Sequence, residues 1–353
     1  MKTFQQFEKT PLSIPAATSW YLADLGEARG RQALFTAQSP HTLKVLREHA
    51  LIESAVSSNR IEGVTVQQKR VGTVVFGRAH LKDRDEEEVR AYRTALDWIH
   101  REGAKIPVSE KTILTLHRMS RGEVWDAGRY KSKNVDIIEK LPGGRERVRF
   151  HTVDAAKTPS AIKALVDCWQ ETLRTQTVHP LIALAAFNLD FLCIHPFRDG
   201  NGRVSRLLLL LQGYALGYEV GRYVSVERLI EQNKARYYDT LERSSQRWHD
   251  GRHDPWPYIN YLLFILKTAY REMEDRVGQL RRPRGAKTAL IAAAIASREG
   301  TFTVLELERA CPGVSREMIR RVLRGLTKSG RVECLGRGPG APWKKKGITP
   351  KRG

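Results

Sequence analysis

The chain has 353 residues and a formal net charge of +21 at pH 7, and 41% of its residues are hydrophobic. This length is sufficient for two or three domains with cores of their own, and the hydrophobic fraction is that of a folded soluble protein rather than a disordered chain. The excess of positive charge points to an acidic partner such as nucleic acid.

Cysteine spacing and the lengths of the apolar runs exclude further classes of protein. The four cysteines lie far apart in the chain: Cys168, Cys193, Cys311 and Cys334. They form no Cys-x-x-Cys pair and no metal-ligand pattern, which predicts free thiols in a reducing compartment and no zinc site. The N-terminal segment lacks a signal-peptide core, and the longest apolar runs, which contain Asp190 and Gln212, are too short to span a membrane. We therefore expect a cytoplasmic protein that does not bind a membrane.

The first 63 residues divide into an irregular part and a helix. Residues 1–40 mix three prolines with short helical patterns, and we predict an irregular covering layer there. Apolar residues recur at near-helical spacing over 41–59, which predicts an amphipathic helix that ends near Gly63. The end of this helix reads Ser-Asn-Arg-Ile-Glu-Gly. Taken alone, a Glu before a Gly is typical of an ordinary exposed helix end.

The next part of the chain combines helices with one hairpin. Residues 83–101 begin with clustered acids and continue with apolar residues, and the apolar pattern returns at 113–119, so both segments predict helices. Extended patterns at 134–139 and 145–150, separated by Leu-Pro-Gly-Gly, predict a β-hairpin. On the residues alone, this hairpin is equally well explained as a surface feature without a function.

The most informative stretch is residues 195–206, which read His-Pro-Phe-Arg-Asp-Gly-Asn-Gly-Arg-Val-Ser-Arg. Apolar helical patterns precede it at 159–175 and 180–194, and another follows it at 207–216. The stretch is therefore typical of a polar loop between two buried helices. We expect the active site in this loop.

The glycines and arginines of this loop suit a polyphosphate. Gly200 and Gly202 flank Asn201 where the second helix begins, so that free backbone N–H groups and the positive helix end would face an anion. Arg203 and Arg206 lie three residues apart, within one helical turn. Both guanidinium groups are therefore expected to reach the same anion.

Two further side chains complete the predicted site. Asp199 is a hard oxygen ligand beside the phosphates, which is how proteins commonly hold Mg²⁺. His195 is the candidate proton acceptor, because an unperturbed imidazole titrates near neutral pH. Each feature alone is more often a turn, a helix-end hydrogen bond or a solvated face, but their order in one short stretch argues for a functional site.

Residues 195–206 match, without a gap, the His-x-Phe-x-Asp/Glu-Gly-Asn-Gly-Arg-x-x-Arg signature of the Fic (filamentation induced by cAMP) family. The chain resembles Fic proteins over roughly residues 40–270. The resemblance implies a mainly helical fold and transfer of AMP from ATP to a hydroxyl of a target protein. It implies that His195 deprotonates this hydroxyl, that Asp199 binds Mg²⁺ and that Phe197 packs to fix the loop. The phosphate-binding residues would be Gly200, Asn201, Gly202, Arg203 and Arg206.

The resemblance also implies an inhibitory helix and a flap. Fic proteins commonly carry a Ser/Thr-x-x-x-Glu-Gly/Asn inhibitory motif, and the segment from Ser58 to Gly63 fits it. By resemblance, Glu62 pairs with Arg206 and occupies the space that the ATP γ-phosphate needs, so that the resting enzyme is autoinhibited. The hairpin at 134–150 would be the flap on which the protein substrate docks by strand addition.

Two helical segments follow the loop. Residues 223–241 contain the adjacent Tyr237 and Tyr238, and such a pair usually places one ring in the core and the other at the surface. The resemblance instead favours Tyr238 as a neighbour of the ATP adenosine. A strongly apolar helix at 254–274 would close the catalytic domain.

The last part of the chain has a character of its own. From residue 281 onward it contains 18 Lys and Arg against five Glu, which accounts for 13 of the 21 net positive charges. Helical patterns at 286–298, 303–310 and 315–328, followed by strands at 331–335 and 342–344, resemble a winged helix-turn-helix with a recognition helix at 315–326. Four arginines of that helix would be available to phosphates or base edges: Arg316, Arg320, Arg321 and Arg324. A protein-binding or dimerisation module of the same shape remains an alternative interpretation of this segment.

The predicted fold class is mainly α, with a Fic-type helical catalytic domain, a hairpin flap and a C-terminal winged helix-turn-helix. The predicted parts are an N-terminal helical region at 1–90 with the inhibitory helix at about 41–63, a catalytic domain at 91–275, a basic linker at 276–286, a winged helix-turn-helix at 287–347 and a tail at 348–353.

The first hypothesis for function is a protein adenylyltransferase that uses ATP and Mg²⁺ on Ser, Thr or Tyr and is autoinhibited by Glu62. One alternative is the reverse reaction at the same site, in which Glu62 orients a water molecule that removes AMP. The other is a nucleotide-sensing, DNA-binding regulator. The oligomeric state, including a homodimer, stays open.

Overall fold

The computed structural model describes residues 1–8, 12–37, 40–77, 80–122, 124–140, 144–280, 286–298, 300–338 and 340–346. The described residues are mainly helical, as predicted, with two small antiparallel sheets. The chain divides into two compact units: the first unit is Met1–Gln32 with Ala50–Tyr270, and the second unit is Ala33–His49 with Arg271–Gly353. The predicted domain bounds stay a prediction, and most of the predicted linker and the whole tail lie outside the described residues.

The helices in chain order are α1 (Lys2–Phe7), α2 (Ala16–Thr36), α3 (Pro40–Ile61), α4 (Val71–Phe76), α5 (Arg84–Glu102), α6 (Glu110–Arg121), α7 (Thr158–Thr175), α8 (Pro180–Ile194), α9 (Asn201–Ala215), α10 (Val226–Gln232), α11 (Lys234–Ser245), α12 (Trp256–Leu280), α13 (Ala286–Ala296), α14 (Val304–Ala310) and α15 (Arg316–Lys328). The strands are β1 (Ile137–Lys140), β2 (Glu146–Phe150), β3 (Thr301–Phe302), β4 (Val332–Cys334) and β5 (Trp343–Lys345). Among the described residues, no helix combines the length and the apolar character that a membrane span requires.

The prediction of an irregular N-terminal layer is wrong, because α2 is a helix of 21 residues. Pro15 and Pro40 mark helix starts instead of interrupting helices, and Pro11 lies outside the described residues. The carbonyl of Pro15 accepts a hydrogen bond from the Thr18 N–H at 2.9 Å, and Pro40 is the first residue of α3. Proline is tolerated at the first turn of a helix, where its missing N–H would have had no partner.

The helices α8 and α9 form the centre of the first unit. Every side chain of α8 after Pro180 is buried, which explains why the sequence of this helix is apolar on all sides. The helix α8 packs against α1, α7 and α9, and α9 also packs against α5 and α6. The loop at 195–200 therefore joins two buried helices.

Capping residues set the start of the two helices that flank α9. The carboxylate of Asp83 accepts a hydrogen bond from the Glu86 N–H at 3.0 Å before α5. The hydroxyl of Ser109 accepts one from the Thr112 N–H at 3.1 Å before α6. Each cap satisfies a helix N–H that has no partner within its helix. These two helices bring a buried acidic side chain of α5 and a buried arginine of α6 against α9.

The predicted hairpin is present as the antiparallel strands β1 and β2. Its first strand begins at Ile137, three residues later than predicted, and the ladder is irregular between Ile137 and Ile138. Residues 141–143 of the predicted turn lie outside the described residues. The two-stranded sheet leaves one edge of each strand unpaired within the sheet, as any two-stranded sheet does.

The second unit contains α13, α14 and α15 with a three-stranded antiparallel sheet in the order β3-β5-β4. The short β3 was not predicted, because two residues carry too little pattern to read. Ten residues form the buried core of this unit: Ile291, Ile295, Phe302, Val304, Leu307, Cys311, Val314, Ile319, Leu323 and Val332. The identification of this unit as a winged helix-turn-helix stays a prediction.

Candidate active site

The loop between α8 and α9 has a backbone conformation that its residue types make possible. His195 ends α8 in the left-handed region with φ 52°, and its N–H donates to the Phe191 carbonyl at 2.9 Å. Gly200, with φ 85°, precedes α9. Glycine adopts this conformation at little cost, whereas a histidine there is uncommon and is kept by its surroundings.

Asn201 closes the loop through its side chain. Its Oδ1 accepts from the Phe197 N–H at 2.9 Å, and its Nδ2 donates to the Phe197 carbonyl at 2.8 Å. The ring of Phe197 is buried and stacks on the ring of His117, with centroids 3.7 Å apart. Asn201 therefore holds the loop with its side chain, while its backbone lies at the start of α9.

His117, on α6, supports the loop from below and was not predicted from the sequence. Its Nδ1 accepts from the Gly128 N–H at 2.9 Å, so Nε2 carries the proton of the neutral ring and donates to the Asp199 carbonyl at 3.0 Å. Burial lowers the pKa of His117 to about 4. The imidazole is therefore neutral at physiological pH, and its two hydrogen bonds connect Gly128 to the carbonyl of Asp199.

A ring of four buried or half-buried charges lies beside the loop. Glu88 Oε2 is 2.5 Å from Arg203 Nη1, and Glu88 Oε1 is 3.0 Å from Arg121 Nη1. Arg121 Nη1 is also 2.9 Å from Asp199 Oδ2, and Arg203 Nη2 is 3.6 Å from Asp199 Oδ1. The side chains of Arg121 and Arg203 are each 1% exposed, whereas Asp199 is 55% exposed. We call these four residues the charge ring.

The charge ring changes the expectation for Arg203. The sequence predicts that its guanidinium group and that of Arg206 reach the same anion, but the two share no partner among the described residues. Arg203 faces Glu88 and Asn59, the latter at 3.3 Å, while Arg206 faces α3. Residues three positions apart on a helix differ by more than 50° in direction. Here the acidic partner of each arginine determines where its guanidinium group lies.

Arg206 contacts the end of α3 through three hydrogen bonds. Its Nε donates to Ser58 Oγ at 2.9 Å, and its Nη2 donates to the Ser58 carbonyl at 2.9 Å and to Glu62 Oε1 at 2.8 Å. The carboxylate of Glu62 also lies so close to Gly202 that a Cβ there would collide with it. The pairing of Glu62 with Arg206 that the resemblance implies is therefore present.

One donor of Arg206 remains available. Its Nη1 is buried and has no hydrogen-bond partner among the described residues, and it lies 3.1 Å from the position a Cβ of Gly202 would take. Buried guanidinium donors are normally satisfied, and an unsatisfied one is costly. A donor of this kind beside the first turn of α9 is suited to an anion that is not part of the chain.

A cavity of about 240 Å³ joins the loop, α3, α11 and the hairpin. The residues that line it are Glu62, Ile137, Arg149, Phe150, Leu192, Cys193, His195, Gly202, Tyr237, Tyr238, Leu241, Glu242 and Ser245. Tyr238 is half-buried there, and its hydroxyl is 3.4 Å from the Ile61 carbonyl. Arg149 of β2 donates to the Tyr238 carbonyl at 2.6 Å, which ties the hairpin to α11. The cavity thus brings together His195, Gly202, Glu62 and Tyr238.

Burial, followed by the positive charge of Lys131, lowers the pKa of His195 to about 4. Lys131 is itself buried, with Nζ 2.7 Å from Thr152 Oγ1 and 3.1 Å from the Ile194 carbonyl, and burial lowers its pKa to about 8. The imidazole of His195 is therefore neutral at physiological pH, which is the form that can accept a proton.

Glu88, Arg121 and His117 are the parts of the site that the sequence did not reveal. Glu88 stands in an acidic run that is typical of a helix start, and the two α6 residues stand in an ordinary amphipathic pattern. The only available signal was that Arg203 and Asp199 would need partners if they were buried. The four arginines predicted for nucleic-acid contacts belong to the second unit and not to this site.

Comparison with known proteins agrees with this arrangement. Residues 107–212 match the model of the Fic/DOC family. "Protein adenylyltransferase Fic" of Drosophila melanogaster is 26% identical over 218 residues, which are 59% of this chain and 40% of that protein. The chain thus spans about two fifths of the length of the curated relatives that it matches.

Solved structures agree in fold. A Fic family protein from Desulfovibrio desulfuricans G20 has a TM-score of 0.62 and 25% identity, and the match covers 97% of this chain and 100% of the other. Fic-1 (residues 134–508) from C. elegans has a TM-score of 0.57 at 20% identity, over 74% of this chain and 73% of the other. The fold and site thus define a mainly helical protein whose loop between two buried helices carries a histidine and a helix-end anion cradle. Residues 107–212 of this chain form a Fic/DOC family domain.

Proposed function

We propose that this protein is an adenylyltransferase that transfers AMP from ATP to a Ser, Thr or Tyr hydroxyl of a target protein and is restrained by Glu62. The observation that carries the proposal is the contact of Glu62 with both Arg206 and Gly202, in a cavity shared with His195. The curated relatives named "Protein adenylyltransferase Fic" support the same reaction.

The residues present fit the phosphates of ATP. Arg206 Nη1 offers a buried donor without a described partner, and Gly202 has no side chain at the first turn of α9. Backbone N–H groups at a helix start and a guanidinium group are the donors that phosphates prefer. The phosphate chain would lie along Gly200, Asn201 and Gly202, with the adenosine toward Tyr238.

The residues also fit Mg²⁺. Asp199 keeps more than half of its side-chain surface exposed while Arg121 and Arg203 hold its other side. An exposed carboxylate beside the phosphates is the usual protein ligand of a magnesium ion that is otherwise bound by phosphate and water. Bound there, the ion would supply charge neutralisation of the phosphates.

His195 is the residue that takes the proton of the target hydroxyl. A proton on Nδ1, which lies 3.4 Å from the Leu192 carbonyl, leaves the Nε2 lone pair as the acceptor. The deprotonated oxygen attacks the α-phosphorus, the bond from that phosphorus to the bridging oxygen breaks, and pyrophosphate leaves. The histidine needs to be neutral before this step, as its lowered pKa ensures.

Glu62 restrains the reaction by competing with phosphate. Its carboxylate and a phosphate oxygen need the same guanidinium group and the same space over Gly202. A carboxylate that is already in place would force the phosphate chain into a different position or keep it out. Ser58 holds Arg206 independently of Glu62, so loss of Glu62 should leave the arginine in position.

The target would dock on the hairpin at 134–150. Ile137, Arg149 and Phe150 line the same cavity as His195, and the two-stranded sheet has unpaired edges. An extended target segment that adds a strand to this edge would present its hydroxyl to the cavity.

The test is incorporation of labelled AMP from ATP and Mg²⁺ into the protein itself. Glu62→Gly should be labelled strongly, and Glu62→Gly with His195→Ala should not. Arg60→Gly is the matched control, because it places a glycine in the same helix end without removing a partner of Arg206. The proposal fails if Glu62→Gly binds ATP but is not labelled, or if Arg60→Gly is labelled equally.

The reverse reaction, removal of AMP from a modified protein, is the second candidate. Glu62 is 31% exposed and lines the cavity with His195, so a water could be oriented by its carboxylate. This candidate predicts that wild type releases AMP from a modified substrate and that Glu62→Gln does not. Transfer activity of Glu62→Gly without any release by wild type would contradict it.

A further inference from the structure

The second unit has a basic helix face for which the proposed transferase has no use. Along α15, Ile319 and Leu323 are buried in the core of the unit, whereas Arg316, Arg320 and Arg324 are exposed. These three arginines follow each other at intervals of four residues and therefore share one face of the helix. They span about 12 Å along the helix axis.

The arginines on this face are available to a partner. Among the described residues, Arg320 and Arg324 have no acidic group within ion-pair distance, and Arg316 Nε is 3.9 Å from its nearest carboxylate, that of Glu308. Exposed guanidinium groups in such an arrangement repel one another, and a polyanion would remove that repulsion.

The same face forms one wall of a groove of about 720 Å³. The other wall consists of the turn at Gly336 and Gly338, between β4 and β5, and of Trp343 on β5. Glu317, at the start of α15, also lines the groove. The groove thus combines a basic helix with a short hairpin arm that lies beside it.

We propose that the second unit binds duplex DNA, with α15 in the major groove and the β4–β5 hairpin against the adjacent backbone. An α-helix fits the major groove of B-form DNA, which is about 12 Å wide, and arginines along it reach phosphates and the O6 and N7 atoms of guanine. A duplex RNA fits poorly, because its major groove is too deep and narrow for a helix. The proposal does not depend on the transferase activity.

The residues of this face have different expected roles. Arg316 lies in the first turn of α15, which is the part of a recognition helix that reaches base edges, and Glu317 beside it could accept a hydrogen bond from cytosine. Arg320 and Arg324 lie further along and would contact phosphates. Arg321 lies on a different face of α15 and would contact the DNA backbone at the side of the helix.

The test measures the affinity of the full chain for a fluorescent mixed-sequence DNA duplex of about two helical turns. We expect binding at about 50 mM salt that weakens steeply toward about 200 mM. The double variant Arg320→Gln with Arg324→Gln should raise Kd roughly tenfold and lower the slope of log K against log salt by about two. Both residues are exposed, so thermal unfolding should be unchanged.

The matched control is Arg271→Gln with Lys287→Gln, which removes two charges from exposed positions of the same unit that lie outside both the groove and the β4–β5 hairpin. It should change Kd by less than about twofold. An equal loss of affinity in both double variants would show that only the net charge matters, and it would overturn the proposal. Equal affinity for duplex RNA would also overturn the proposal. The absence of duplex DNA binding at low salt would overturn it as well, and an acidic protein would then be the partner expected for this groove.

Discussion

Glu88 Oε2 lies 2.5 Å from Arg203 Nη1, and the two side chains are 6% and 1% exposed. The other carboxylate oxygen of Glu88 binds Arg121. One buried carboxylate thus connects the helix that follows the functional loop to α6. Through Arg121 it also determines where the Asp199 carboxylate lies.

Substitution of Glu88 by Gln should destabilise the protein strongly. The change removes the buried carboxylate of the charge ring and leaves Arg121 and Arg203 with only the more exposed Asp199 as an acidic partner. Breaking a buried ion pair in this way typically costs about 3–5 kcal/mol. Urea unfolding followed by tryptophan fluorescence measures this, and six of the seven tryptophans precede residue 257. Glu87→Gln removes the exposed neighbouring carboxylate and should change the free energy of unfolding by less than about 0.5 kcal/mol. Equal stability of the two variants would show that the charge ring contributes little.

His117 should make the protein less stable in mild acid. Its pKa is about 4 in the folded protein and about 6.5 when unfolded, so the unfolded chain binds the proton first as the pH falls. The contribution of this group to the free energy of unfolding is present above pH 6.5 and falls by about 2 kcal/mol between pH 6.5 and 5.

The variant His117→Gln isolates this contribution. It should be less stable than wild type at pH 7.5, because stacking on Phe197 is lost, and the difference should shrink by about 2 kcal/mol at pH 5. His249→Gln, which removes an exposed histidine from the same unit, provides the comparison. A difference for His117→Gln that stays constant with pH would contradict the assignment.

Ser58→Ala should weaken the support of Arg206. The hydroxyl is buried and accepts from Arg206 Nε, and hydrogen bonds to charged groups contribute about 1.5–3 kcal/mol. Ser57→Ala is the control, because Ser57 is also buried but its hydroxyl has no hydrogen bond among the described residues. Urea unfolding of the two variants should separate them by at least about 1 kcal/mol. Similar values for both would mean that the Ser58 hydroxyl adds little to the contacts of Arg206 with the Ser58 carbonyl and Glu62.

Lys131→Met should raise the pKa of His195 above its value of about 4. The ammonium group of Lys131 disfavours the imidazolium form, so its removal makes protonation easier, although burial continues to lower the pKa. NMR titration of the histidine ring protons measures the change, with His195→Ala used for assignment. Lys133→Met, at an exposed position two residues away, should leave the titration unchanged. An unchanged pKa in Lys131→Met would assign the shift to burial alone.

Much of the first unit could be predicted because its signals are local. The bounds of α8 agree with the predicted 180–194, since an unbroken apolar run between Pro180 and a polar loop allows few alternatives. The same holds for α5 with its Asp83 cap. The prediction for the N-terminal layer is wrong because a proline can mark a helix start as well as a break: Pro15 precedes α2, and Pro40 begins α3.

The sequence by itself determined the functional loop, its glycines and its histidine, because these features depend on residue type and on spacing within a few residues. The tertiary structure alone decided which partner each charge has. Arg203 and Arg206 are equivalent in the sequence, yet one faces Glu88 and the other Glu62. These acids lie more than 100 residues earlier in the chain. A buried charge is bound to the nearest opposite charge in space, and only the packing of α3, α5 and α6 around α9 brings those groups within range.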